Sequence, residues 1–259
     1  MTTDVERGSR TLSERGLARR TTADLNWAER AATIGGASGA PVRPGVRPGA
    51  LVELAPMLRR AAALDELSLA RIVTGAATVT GLVRLPFDAL VGRTLPLPAD
   101  ADRRAGDYSV LATELLAWID GDDAKPAPRD ADWRGGIPPT TGWKRVDTVP
   151  DDVIRRLVRS GARTLKDAAA RDGVAGAQPR AEVAAALLDS VVLTVSGSSG
   201  ERVELALRLI SAITRMGFLP HGSHVAVDVA GRWLRVAARY GSGYAERPGL
   251  RLNLGLRSS

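Results

Sequence analysis

Val191-Val-Leu-Thr-Val-Ser-Gly-Ser-Ser-Gly-Glu-Arg-Val-Glu-Leu-Ala-Leu207 sets two β-branched, apolar runs on either side of a Gly-Ser-Ser-Gly turn. Val203, Leu205 and Leu207 alternate with polar neighbours, the period of a strand with one covered face. Two such runs joined by so short a connection form a β-hairpin. Downstream, 208–216 has helical spacing and stops at Gly217. Segments 224–230, 232–239 and 243–247 then read as an antiparallel meander. Upstream, helices are expected over 151–160, 164–171 and 179–189, the last with Pro179 in its first turn. Strands that come as hairpins, without βαβ alternation, make the class α+β: helices with antiparallel hairpins and a C-terminal β-meander.

The first half of the chain reads less regularly. Leu51, Leu54, Met57, Leu58 and Ala61 fall on one helical stripe. Asp65 is expected to cap a further helix over 66–74, and 78–85 and 89–95 read as strands. Residues 108–119 predict a helix with Leu111, Leu115, Trp118 and Ile119 inward. The expected organisation is a disordered basic tail and Pro/Gly linker (1–48), a helical/mixed part (49–119), an Asp/Pro/Gly-rich loop or linker (120–142) and an α+β C-terminal part (143–259).

Composition narrows the chemistry. The 259 residues contain no Cys and two His, which removes thiolate nucleophiles and Cys-ligated metals and leaves little neutral-pH proton shuttling. The net charge is +7, unevenly spread: residues 98–133 carry −5 and residues 151–259 carry +6. Of the 36 cationic residues only three are Lys, a bias that points to a GC-rich bacterial genome. The longest uncharged apolar stretch, 72–83, is too short to cross a bilayer, and no apolar leader follows the N-terminal arginines. A cytoplasmic protein with no membrane partner and no cofactor is expected.

Three groups of residues invite function. His221, His224 and Asp228 put both histidines and a carboxylate within eight residues, a candidate facial metal set for a metal-dependent enzyme. Arg155, Arg156, Arg159 and Arg163 crowd one helix flank, and Trp233, Arg235 and Arg239 share one face of the strand 232–239. With Arg180 these are candidates for binding a nucleic acid or another anion. Trp133 and Trp143 flank Gly-Gly-Ile-Pro-Pro-Thr-Thr-Gly and either clamp that loop to the body or present a partner surface.

Helices over 151–160, 164–171 and 179–189 followed by the 191–207 hairpin resemble the three-helices-plus-wing order of a winged helix-turn-helix. Ala169 and Gly173-Val174 stand at its small-residue and turn positions. The resemblance implies DNA binding with 179–189 as recognition helix. The segment 173–178 is long for the turn, and that helix offers only Arg180 to read bases. The chemistry that is missing favours a non-enzymatic interaction or regulatory protein with a protein partner. DNA binding is the alternative, and a metalloenzyme the second.

Overall fold

A 3-10 turn at Pro48–Leu54 leads directly into helix α1, Ala55–Leu64, and together they bury Leu51, Leu54, Met57, Leu58 and Ala61. The structure is a computed structural model that describes residues 46–97, 106–171, 177–198 and 200–247, all within the unit Ala37–Ser259. Most of the expected 1–48 tail lies outside the described residues.

After α1 come β1 (Leu69–Thr74), β2 (Thr78–Arg84), β3 (Leu90–Pro96), β4 (Gly106–Leu111) and helix α2 (Ala112–Ile119). A second 3-10 turn, Asp130–Asp132, interrupts the connection to β5 (Lys144–Pro150). Helices α3 (Asp151–Arg171) and α4 (Ala177–Asp189), the hairpin β6 (Val191–Ser196) and β7 (Arg202–Ala206), and helix α5 (Leu207–Arg215) follow. The meander β8 (His224–Ala230), β9 (Trp233–Ala238) and β10 (Gly241–Glu246) completes the described chain.

Eight strands form one antiparallel sheet in the order β4-β1-β2-β3-β10-β9-β8-β5, and β6-β7 stands apart as a pair. The large sheet reads alike from both edges. Each edge strand is followed by a helix (β4 by α2, β5 by α3), and each meander is preceded by one (β1-β2-β3 by α1, β8-β9-β10 by α5). Within each half those two helices pack on each other. The halves meet at β3 and β10, which pair only through Ser242–Gly92, Gly243–Val91 and Tyr244–Leu90. Helix α5 lies on this seam: a Cβ on Gly243 would stand 2.8 Å from both Ile213 Cγ2 and Leu209 Cδ1.

One sheet face carries the helices and the main core, including Ile72, Val83, Val110, Val227 and Val236. The other face is crossed by the chain itself. Because β4 and β5 are consecutive yet lie on opposite edges, residues 120–143 must traverse the sheet, about 34 Å for seven strand spacings. Trp133 anchors this strap. It is 8% exposed and clusters with Leu82, Leu90, Trp233 and Tyr244, with Ile137 and Trp143 against them. The strap also covers the β4 edge, where Arg129 N–H donates to Ser109 O (2.6 Å) and Ser109 N–H to Asp130 Oδ1 (2.5 Å).

The structure corrects four sequence expectations. Residues 69–74 form a strand, not part of a helix; Asp65 accepts the Leu67 N–H at 3.0 Å in an Asx turn that starts β1. The helix expected over 108–119 begins only at Ala112, since Tyr108 and Val110 pair with Ile72 and Ala70. The helices expected over 151–160 and 164–171 are one, α3. Gly161 does not end it but permits close packing, as a Cβ there would lie 2.5 Å from Leu207 Cδ2. A continuous α3 also removes the separate second helix on which the winged-helix resemblance depends, and the fold is a large antiparallel sheet with few helices. The 191–207 hairpin and the C-terminal meander stand where the alternation places them.

Truncating the strap anchor, Trp133→Ala, is expected to destabilise the protein by about 3–5 kcal/mol, read as a fall in the urea midpoint at unchanged m-value. An unchanged midpoint would show that the strap is not held through this ring.

Candidate anionic-partner interface

Helix α3 begins with Asp151 and Asp152, whose charges suit the positive end of the helix dipole. Asp151 N–H donates to Ser223 O at 2.9 Å, tying the helix start to the loop before β8. Ile154 and Gly161 are buried and Leu157, Val158 and Leu165 are half-buried, so one stripe of α3 faces the protein. Diametrically opposite run Arg156, Arg159, Arg163 and Lys166, spaced three, four and three residues apart over about 15 Å of helix. Arg156 pairs with Asp152. Among the described residues Arg159, Arg163 and Lys166 have no ion-pair partner. Helical periodicity picks out Arg156, Arg159 and Arg163 in the sequence; Lys166 escapes it because the sequence predicts separate helices over 151–160 and 164–171.

Arg155 does not belong to this stripe. Its Nε donates to Asp151 Oδ2 at 2.9 Å, and its Nη2 donates to the Leu219 carbonyl. The Arg155–Asp151 hydrogen bond, first of all, holds the Asp151 carboxyl below its ordinary value. The charges of Arg155 and His221 and the Gly222 N–H act in the same direction, against burial. His221 therefore stands near Asp151. His224 is exposed at the start of β8, opposite Pro150. Asp228 lies on the same strand about 13 Å further along. Its side chain is 2% exposed, and both carboxylate oxygens are engaged. Arg145 Nε donates to Oδ1 (2.5 Å), and Arg235 Nε and Nη2 donate to Oδ2 (3.0 and 2.8 Å). The structure does not bring His221, His224 and Asp228 together, and among the described residues no three His, Cys, Asp or Glu side chains form a metal-holding group.

The second basic group is likewise tied into the body. Arg235 lies 4.4 Å over the Trp143 ring as well as on Asp228. Trp233 is buried in the cluster beneath the strap, and Arg239 lies beyond the end of β9, 5.9 Å over Tyr240. Trp143 donates its Nε1–H to Pro139 O at 2.9 Å and meets Tyr244 at a centroid distance of 6.0 Å. Trp133 lies beneath the guanidiniums of Arg71 and Arg84, at 5.6 and 5.9 Å. Both strap tryptophans thus hold the loop to the sheet. Arg180 is on α4, with its side chain outside the described residues.

Residues 138–250, from the end of the strap through β10, match a family model described as Domain of unknown function (DUF8185). No curated protein matches the chain by sequence. Among solved structures the chain is similar to the DNA polymerase III subunit beta of Pseudomonas aeruginosa, at 12% identity and a TM-score of 0.49, covering 78% of this chain and 63% of that one. It is also similar to the DNA polymerase sliding clamp of Bacillus subtilis, at 12% identity and a TM-score of 0.48, with the same coverage. A third is the DNA polymerase III beta subunit of Thermotoga maritima, at 9% identity and a TM-score of 0.46. The chain spans less than two thirds of the length of each. No helix among the described residues is long and apolar enough to cross a membrane.

The Asp151–Arg155 pair carries a pH signature. A carboxyl whose folded pKa is lowered stabilises the fold above its unfolded pKa and loses that contribution as the pH falls through the folded value. The stability gap between the protein and an Arg155→Met variant should therefore be widest at neutral pH. It should narrow below about pH 4, leaving the part due to the Leu219 carbonyl bond. Urea midpoints measured from pH 7 to pH 3 test this; a gap independent of pH refutes it.

Proposed function

We propose that this protein is a non-enzymatic interaction protein that binds duplex DNA through its phosphate backbone along the outer stripe of α3. The observation that supports it most is the set Arg159, Arg163 and Lys166: three cations on one exposed helix face without an ion pair among the described residues. Most other described guanidiniums are ion-paired, bound to a carbonyl or stacked on a ring, as with Arg59 on Asp120, Arg71 on Asp107 and Arg60 on Met216 O. Cations held apart from carboxylates are those that neutralise phosphates and release counterions. A smooth helix face with Arg and Lys but no Asn or Gln beside them suits positioning on the backbone over reading of bases. The non-enzymatic part of the reading rests on the absence of Cys and on two histidines, one beside Asp151 and one exposed at a strand end.

The test is the salt dependence of binding to a random-sequence duplex. The protein should bind at low salt, and the Arg159→Ala/Arg163→Ala/Lys166→Ala variant should lower the slope of log K against log salt by about 3 without changing thermal stability. Absence of binding at low salt, or an unchanged slope in the variant, overturns the proposal.

A further inference from the structure

The outer stripe of α3 does not begin with a cation. Asp152, Arg156, Arg159, Arg163 and Lys166 follow one another at spacings of four, three, four and three residues, so all five lie along one line of the helix surface. That line runs about 21 Å, and its first position is an acid. Arg156 Nη1 donates to Asp152 Oδ2, and the two side chains remain 60% and 59% exposed.

The fold does not depend on this acid. Asp151 already supplies the first turn of α3 with a carboxylate that suits the helix dipole. Its side chain is 6% exposed, it accepts from Arg155 Nε and the Gly222 N–H, and its own N–H is tied to Ser223 O. Asp152 makes its ion pair with Arg156 and with no other cation among the described residues. An exposed pair four residues apart on a helix adds little to stability. Its consequence falls on the stripe. The carboxylate occupies the place that a further phosphate would take against Arg156, and its charge opposes any phosphate approaching that end of the helix. The cations left open to a polyanion are Arg159, Arg163 and Lys166, which span about 10 Å.

We propose that Asp152 stands in for a phosphate: it withholds Arg156 from nucleic acid and so limits the α3 stripe to three backbone contacts. The inference rests on the reading of α3 as a contact to duplex DNA phosphates. Held to three contacts, binding stays weak and is readily reversed by salt. Loss of this one carboxylate lengthens the footprint by a turn of helix.

Four proteins test this on a random-sequence duplex across a salt series: the full chain, Asp152→Asn, Asp152→Asn/Arg156→Ala and Asp123→Asn. Asp123 is an exposed acid at the start of the strap, and neutralising it makes the same change in net charge outside α3. Asp152→Asn should tighten binding and steepen the slope of log K against log salt by about 0.9, the increment of one phosphate contact. The double variant should return to the starting slope, and Asp123→Asn should keep it. An unchanged slope in Asp152→Asn, while the Arg159→Ala/Arg163→Ala/Lys166→Ala variant lowers it, overturns this inference and leaves the DNA reading standing. Equal steepening in Asp123→Asn, or steepening that survives in the double variant, assigns the effect to net charge and overturns it as well. Failure of all four proteins to bind at low salt removes the DNA reading and this inference with it.

Discussion

Two consecutive strands, β4 and β5, lie on opposite edges of an eight-stranded sheet, and the chain between them has no route except across a face. The helices occupy one face, so the crossing takes the other. An irregular segment laid over a sheet has few backbone partners of its own and holds mainly through side chains. Trp133 and Trp143 supply that hold. Each ring is sandwiched between sheet residues and guanidinium planes, which bury apolar area while the cations stay partly solvated. The strap also closes the β4 edge through Ser109, so one crossing both covers a face and removes an aggregation-prone edge. At the other edge, β5 is protected differently: a register shift between Arg145 and Asp147, a terminal Pro150 and an exposed Lys144.

The strap explains how charge is distributed. On the face it crosses, Arg71, Arg84, Arg145 and Arg235 are matched by Asp107, Asp88 and Asp228, and two of these arginines also stack on Trp133. Asp228 is buried and would be costly there alone; two guanidiniums make it tenable and pin β5, β8 and β9 in register. On the helical face no described segment crosses α3. Its outer side is exposed, and there Arg159, Arg163 and Lys166 make no ion pair among the described residues.

How much of this the sequence discloses depends on the range of the contacts involved. The 191–207 hairpin and the 224–246 meander are local, and their alternation with Gly200 and Gly231 at positive φ is readable in order. β1 is not: Leu-Ala-Arg-Ile-Val-Thr satisfies helical and strand periods alike, and only pairing with Val83 and Val110 selects the strand. β5, Lys-Arg-Val-Asp-Thr-Val-Pro, is exposed at most positions and shows no apolar face. The near-symmetry of the sheet is invisible, because the two halves share strand order but not sequence and traverse it in permuted order. At the candidate interface, helical spacing identifies Arg159 and Arg163. The engagement of Arg235 with Asp228 and the drift of His221 to Asp151 depend on register and loop path that spacing does not encode.

The basic stripe has an energetic peculiarity. Like charges three or four residues apart on a helix destabilise it by about 0.2–0.5 kcal/mol per pair. Arg159–Arg163 and Arg163–Lys166 are two such pairs on a helix whose mean composition is already polar. Arg156 is relieved by Asp152; the other three have no such relief among the described residues. Nothing in the packing of α3 requires them, since its inward stripe of Ile154, Leu157, Gly161 and Leu165 is complete without them. Phosphates laid along the helix would convert the repulsion into attraction at every position at once. The same residues that slightly weaken the free helix would then be those that hold the complex together.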